Sequence, residues 1–145
     1  MTVFLSLGTN KGNRERNIRR ALCLLNIALG KRYMAVSDII NTQAAGFDGP
    51  DFLNCVVAYD LRLSPGALLR RCKRIERLMG RRDAPEYAPD GSRIYHDRII
   101  DIDILLYGDL NIRTPELTIP HAGLQERPFF GELIAQVRKE LDTTG

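Results

Sequence analysis

The chain has no run of the roughly 18–20 apolar residues that a membrane-crossing helix needs, so a membrane-embedded protein is not expected. Its start, Met-Thr-Val-Phe-Leu-Ser-Leu-Gly, lacks the basic residues and small-residue cleavage site of a secretory leader. Cysteine is scarce: Cys23, Cys55 and Cys72 are odd in number and form no C-x-x-C pair. That argues against a disulfide framework or a zinc site, and predicts three reduced core thiols in a cytoplasmic protein. Lysine is scarce as well, since only Lys11, Lys31, Lys73 and Lys139 among 21 basic residues are not arginine. Net charge is only +3, too little to indicate a nucleic-acid partner. The familiar nucleotide signatures are missing too. Gly8 and Gly12 are not followed by Lys-Ser/Thr as in a P-loop, and no G-x-G-x-x-G occurs. No repeat, low-complexity tract or domain linker interrupts the chain.

What is present suits one soluble domain spanning residues 1–145. With 44% hydrophobic and 27% charged residues, composition is ordinary. A chain of this length buries roughly 70% of the surface its unfolded form exposes, which is enough to fold without a metal or disulfide.

Val3, Leu5 and Leu7 alternate with Phe4 and Ser6, as in a strand. After a loop, Asn13 can cap a helix whose apolar stripe is Ile18, Ala21, Leu22, Leu25, Ala28 and Leu29, with Gly30 as its stop. Residues 33–41 read as extended, 43–50 as a loop and 51–61 as a strand. Ser64-Pro65 opens a second helix with the stripe Leu68, Cys72, Ile75 and Met79, ended by Gly80. Residues 81–97 carry Arg81, Arg82, Pro85, Pro89, Gly91 and Arg93 without periodicity, and a loop this long is usually functional or disordered. Residues 98–107 are the most strand-like segment, with 110–114 expected to pair beside it after a turn at Gly108-Asp109. A short helix after His121 and a longer one near 129–141 complete the chain. The order β-α-β-β-α-β predicts an α+β, ferredoxin-like sandwich: an antiparallel sheet with helices on one face and a helical C-terminal extension.

Asp101-Ile102-Asp103 carries the chemistry. Residues at i and i+2 of a strand share a face, so both carboxylates point one way, roughly 7 Å apart. Ile100, Ile102, Ile104 and Leu106 point the other way, which puts the carboxylates on the helix-free face. Two like charges so placed repel, and a divalent cation relieves them; hard oxygen ligands without His or Cys favour Mg²⁺ bound together with substrate phosphates. On its own, an Asp-x-Asp pair is better read as two solvated carboxylates. Its neighbours change that reading. Arg98 lies three residues before the pair, Arg81 at the other end of the long loop, Glu76 a turn earlier, and His121 and Arg127 just downstream. An acidic pair ringed by arginines suits a polyphosphate. A second cluster, Thr42, Gly46, Phe52, Asn54, Phe129 and Tyr95, offers aromatic planes beside an amide, as a flat heterocycle requires.

Nearly the whole chain resembles the 6-hydroxymethyl-7,8-dihydropterin pyrophosphokinase family. The resemblance is carried by Leu7-Gly8-Thr9-Asn10, Gly46 to Asp51-Phe52-Leu53-Asn54, Ile75-Glu76 with Gly80-Arg81, Arg98 through Leu105, and Leu117-Thr118-Ile119-Pro120-His121 followed by Arg127-Pro128-Phe129. It implies pyrophosphoryl transfer from ATP to the pterin hydroxymethyl oxygen, releasing AMP, by a monomer acting on small molecules. It also implies two Mg²⁺ ions on Asp101 and Asp103, and phosphate contacts from Arg81 and Arg98. Lys73, Glu76, Ile104, Leu117, Thr118, His121 and Arg127 would contact ATP. Thr42, Ala45, Phe52, Asn54, Tyr95 and Phe129 would contact the pterin. The chain departs from the family pattern at Lys73, where glutamine is frequent; at Phe52, for tyrosine; at Glu116, for arginine; and at Ala122, for an aromatic residue. Tyr95 stands nearest a missing tryptophan. The weaker readings are a two-metal phosphohydrolase and a ferredoxin-like RNA-binding module. The first wants further carboxylates or a base; the second wants aromatics where the central strand shows aspartates.

Overall fold

The computed structural model describes residues 1–44, 49–81, 86–91, 93–94 and 97–144. Ala45, Gly46, Arg82, Pro85 and Tyr95, named above, lie outside the described residues. Four long elements follow the expected positions: strand β1 (Thr2–Thr9), helix α1 (Arg14–Leu29), strand β4 (Phe52–Asp60) and helix α2 (Pro65–Leu78). Between α1 and β4 the extended segment divides into β2 (Ala35–Val36) and β3 (Ile40–Thr42). Asn13 caps α1 by accepting the Arg16 N–H, and Gly30 ends it at φ +68°, a backbone angle that favours glycine. Ser64 caps α2 in the same way, accepting from the Ala67 N–H, with Pro65 in the first turn.

The main sheet runs β2–β4–β1–β7, where β7 is Asp101–Tyr107, and β3 also pairs with β4. All its pairings are antiparallel, giving the ferredoxin-like strand order. Helices α1 and α2 cover one face over Val3, Leu5, Leu7, Cys55, Val57, Tyr59, Ile102 and Ile104.

The second face is not helix-free. Phe4, Val56, Ala58 and Leu105 make it apolar over half its length, and such a surface needs cover. Helix α4 (Pro128–Thr144) supplies it with Phe130, Leu133, Ile134 and Val137, spaced for one helical stripe. Leu106 also departs from the expected alternation. The β1–β7 register shifts between Phe4 and Leu5, so Leu105 and Leu106 both serve the α4 side while Tyr107 returns to the first core.

Other expectations need adjustment. β7 begins at Asp101 and stands at the edge of the main sheet, not at its centre. The turn after it is present, with Leu110 N–H donating to Tyr107 O at 3.0 Å. Strand β8 (Ile112–Arg113), however, pairs with β9 (Thr118–Ile119) instead of with β7. Pro115 favours the second position of a tight turn from Thr114 to Leu117, which closes a local hairpin. The long loop contains a small hairpin of its own, β5 (Glu86–Tyr87) with β6 (Arg93–Ile94). Cys55 and Cys72 are buried, but Cys23 is exposed, because it falls off the buried stripe of Ile18, Ala21 and Leu25. Helix α3 (Gly123–Glu126) precedes α4. Among the described residues no helix is long and apolar enough to cross a membrane.

Candidate active site

Gly8 is the Cα partner of Asn54 on β4 and of Asp101 on β7. Directly paired residues share a face, so Asn54, Gly8 and Asp101 form one row across three strands, about 10 Å from end to end. Asp103 follows on the same face, opposite Ser6. This is the face that α4 covers further along, over Phe4, Val56, Ala58 and Leu105. The acidic pair therefore occupies the open half of a half-covered face.

About a third of the Asp101 side chain reaches solvent (33%), yet protein atoms crowd its carboxyl. Its pKa is raised, by desolvation first and by neighbouring Asp103 second, with Arg81 and Arg98 working against both. Arg81 donates from Nη1 to Asp101 Oδ1 at 2.8 Å and to Glu76 Oε2 at 2.5 Å. The guanidinium expected on phosphates thus bridges two carboxylates here.

Glu76 is only 2% exposed. It stands next to Ile75, whose side chain joins the core, and reaches from α2 to the edge of β7. There its Oε2 accepts the Ile102 N–H at 2.8 Å, an edge donor turned away from β1. Burial pushes its pKa up to about 7, outweighing the opposing pull of Arg81 and of the Ile102 N–H. Sequence reasoning placed this residue near ATP but not in the interior; its position beside Ile75 was the available signal.

His121 Nε2 lies 3.7 Å from Asp103 Oδ1, while Nδ1 accepts the Gly123 N–H at 2.9 Å. Asp103 draws its pKa upward, against desolvation and Arg127. The Gly123 N–H favours the neutral ring protonated at Nε2, the tautomer that faces Asp103. The His121 backbone N–H also donates to Leu105 O at 3.0 Å, tying this loop to β7. The Arg127 guanidinium lies 5.9 Å from the Phe130 ring centroid.

Glu76, Arg81, Asp101, Asp103 and His121 line a cleft of about 280 Å³. It brings together Lys73, Glu76, Arg81, Asp101, Asp103, Ile104, Leu117, Thr118 and His121. Arg98 and Arg127 are not among its lining residues, although the charges of Arg98 on Asp101 and of Arg127 on His121 are felt. Leu69 and Pro115 also line the cleft and were not singled out from the sequence; Leu69, an apolar residue off the core stripe of α2, was the only hint.

Across the row, Asn54 Nδ2 donates to Thr42 Oγ1 at 2.5 Å. A Cβ at position 8 would stand 2.9 Å from Asn54 Oδ1 and 3.6 Å from Phe52 Cδ1, so Gly8 leaves room for both. Thr42, Phe52 and Asn54 are brought together as expected. Phe129 sits at the start of α4, tilted 56° against Phe130 with centroids 4.5 Å apart.

Asp101 and Asp103 offer hard oxygen donors to one side. Among the described residues no group of three or more His, Cys, Asp or Glu is poised for a metal. Two carboxylates, with phosphates and water completing the shell, fit Mg²⁺ better than a metal held wholly by protein.

A family model described as 7,8-dihydro-6-hydroxymethylpterin-pyrophosphokinase matches residues 4–139. A 2-amino-4-hydroxy-6-hydroxymethyldihydropteridine pyrophosphokinase of Porphyromonas gingivalis is 39% identical over 129 residues, covering 88% of this chain and 84% of that protein. The Bacillus subtilis protein of the same name is 34% identical over 143 residues, covering 95% and 81%. The folic acid synthesis protein fol1 of Schizosaccharomyces pombe is 41% identical over 128 residues, 88% of this chain. The chain spans only 16% of that longer fungal protein.

Proposed function

Because the chain belongs to the 7,8-dihydro-6-hydroxymethylpterin-pyrophosphokinase family, we propose that it moves a pyrophosphoryl group from ATP to the hydroxymethyl oxygen of 6-hydroxymethyl-7,8-dihydropterin. The observation that carries this reading is the row Asn54–Gly8–Asp101. On this reading a flat ring would lie at Asn54, beside an acidic pair that borders the polar cleft.

Asp101 and Asp103 would hold Mg²⁺, two ions by this reading. Bound there with ATP, the metal would offset charge on the phosphate oxygens. Lys73, Thr118 and His121 line the cleft and would meet the phosphates or ribose, and its apolar lining residues Ile104 and Leu117 would take the adenine. Arg81 and Arg98 supply positive charge next to the acids, and Arg127 supplies it next to His121. Phe52 and Phe129 would hold the ring by its faces, while Asn54, fixed by Thr42, reads its edge. The pterin oxygen attacks the β-phosphorus in line, the bond from that phosphorus to the α,β-bridging oxygen breaks, and AMP leaves. The hydroxyl proton departs to solvent. Positioning and charge neutralisation carry the catalysis, and no covalent enzyme intermediate is required.

The test is to incubate the chain with Mg²⁺, ATP and the pterin and to follow nucleotide products. AMP that appears only with the pterin present is expected; ADP or free phosphate without it would point to a hydrolase instead. Asp101→Ala or Asp103→Ala should lower turnover by about three orders of magnitude with the melting temperature within a few degrees. Near-normal turnover in either variant would remove the acidic pair from the mechanism.

A further inference from the structure

Asn10, just past β1, is 2% exposed and turns both side-chain amide groups and its backbone N–H to distant segments. Its Nδ2 donates to Pro50 O at 3.1 Å and to Asp97 Oδ1 at 3.0 Å. Its Oδ1 accepts the Arg98 N–H at 2.6 Å, and its own backbone N–H donates to Arg98 O at 3.0 Å. Asn10 thus exchanges two hydrogen bonds with the Arg98 backbone, as a strand partner would, but one of them runs through its side chain. β1 has already ended at Thr9 and β7 has not begun, so no regular ladder holds Arg98 at this point.

The support behind Asn10 is firm. Asn17 on α1 donates to Thr9 Oγ1 at 3.2 Å and to Lys11 O at 2.8 Å, and Arg14 donates to Asp51 O at 2.8 Å. The first turns of α1 therefore hold the Asn10 turn on one side and the entry to β4 on the other. Pro50 stands two residues before Phe52, and Arg98 three before Asp101. One buried amide joins the chain segments that lead into the two halves of the site.

We propose that Asn10 is a positioning residue that acts through Arg98: it fixes the backbone of Arg98 so that the guanidinium meets developing charge at the acidic pair. The role rests on the pyrophosphoryl-transfer reading. A buried asparagine that serves only to satisfy a turn would support stability alike whatever stands at position 98. One that acts through Arg98 matters to turnover only while the arginine is there.

Asn10→Asp keeps the acceptor for the Arg98 N–H and replaces the donating amide with a carboxylate facing Pro50 O and Asp97. It should lower kcat by about tenfold or more with wild-type chemistry, and by less than about twofold in an Arg98→Ala background. Adding Asp97→Asn to Asn10→Asp reverses the polarity of that side-chain pair, and should recover most of the loss. Hydrogen exchange at the Arg98 amide reads the clip without substrates: Asn10→Ala should lose the protection seen in the parent chain. Equal fold-losses with and without Arg98, or unchanged Arg98 protection in Asn10→Ala, would overturn the proposal. A parent chain that forms no AMP would sink the pyrophosphoryl-transfer reading and this role with it, while the exchange result would still say whether Asn10 holds Arg98. An active parent with additive losses sinks the Asn10 role alone.

Discussion

Glu76 is a carboxylate sunk between a helix and a strand edge, and its neighbours define its cost. Desolvation disfavours its charge, while Arg81 and the Ile102 N–H restore part of it. With its pKa raised from 4.5 to about 7, the folded chain holds this proton more tightly than the unfolded chain. Its contribution to stability is then fully present below pH 4.5 and is lost as pH rises through about 7. Urea unfolding of the substrate-free chain across that window should show this decline, and Glu76→Gln should flatten it. Equal slopes in the two proteins would refute the assignment. Glu76→Leu, which strands the Ile102 N–H, should cost about 1–3 kcal/mol. The cysteines give a simpler check. Burial pushes the thiols of Cys55 and Cys72 up to about 12, whereas Cys23 is exposed. In the native state, iodoacetamide should label Cys23 alone, with the other two reacting only in denaturant; prompt native labelling of Cys72 would contradict the packing of α2. The burial of Glu76 and the exposure of Cys23 both escape composition, since each depends on the phase of a helix against a sheet.

Strands and helices were more legible than their partners. Capping residues and apolar stripes located α1 and α2 to within a residue or two, because Asn13, Gly30 and Ser64 act on their own immediate backbone. The Asp-x-Asp pair was legible for a similar reason: strand alternation alone sets both carboxylates on one face. Pairing depends on distant segments, and there the reading failed. Residues 112–113 went to β9 because of the turn at Pro115, and β5 with β6 arose within a loop that had no periodicity. The row Asn54–Gly8–Asp101 was equally hidden, since it joins residues from three strands. Gly8 can be tested at this scale. Its backbone is ordinary, so Gly8→Ala acts through its methyl group, which would meet Asn54 Oδ1 at 2.9 Å. The amide must swing from Thr42, and the KM for the pterin should rise about tenfold with the KM for ATP nearly unchanged. A matching rise for both substrates would mean that the strand itself had moved.

At the scale of the whole molecule, the sheet has two cores, one under α1 and α2 and another under α4. The sequence order predicted the first, because each crossover helix follows a strand that it must cover. The second was missed because Phe4, Val56, Ala58 and Leu105 come from three strands and form one patch only after the strands pair. The roofed end of that face and its bare end belong to the same three strands. Close packing beneath α4 sets the twist and spacing of β1, β4 and β7, and the bare end inherits them over a few residues. Ligands arriving there meet a floor already cast, so little of their attraction goes into ordering the protein beneath them.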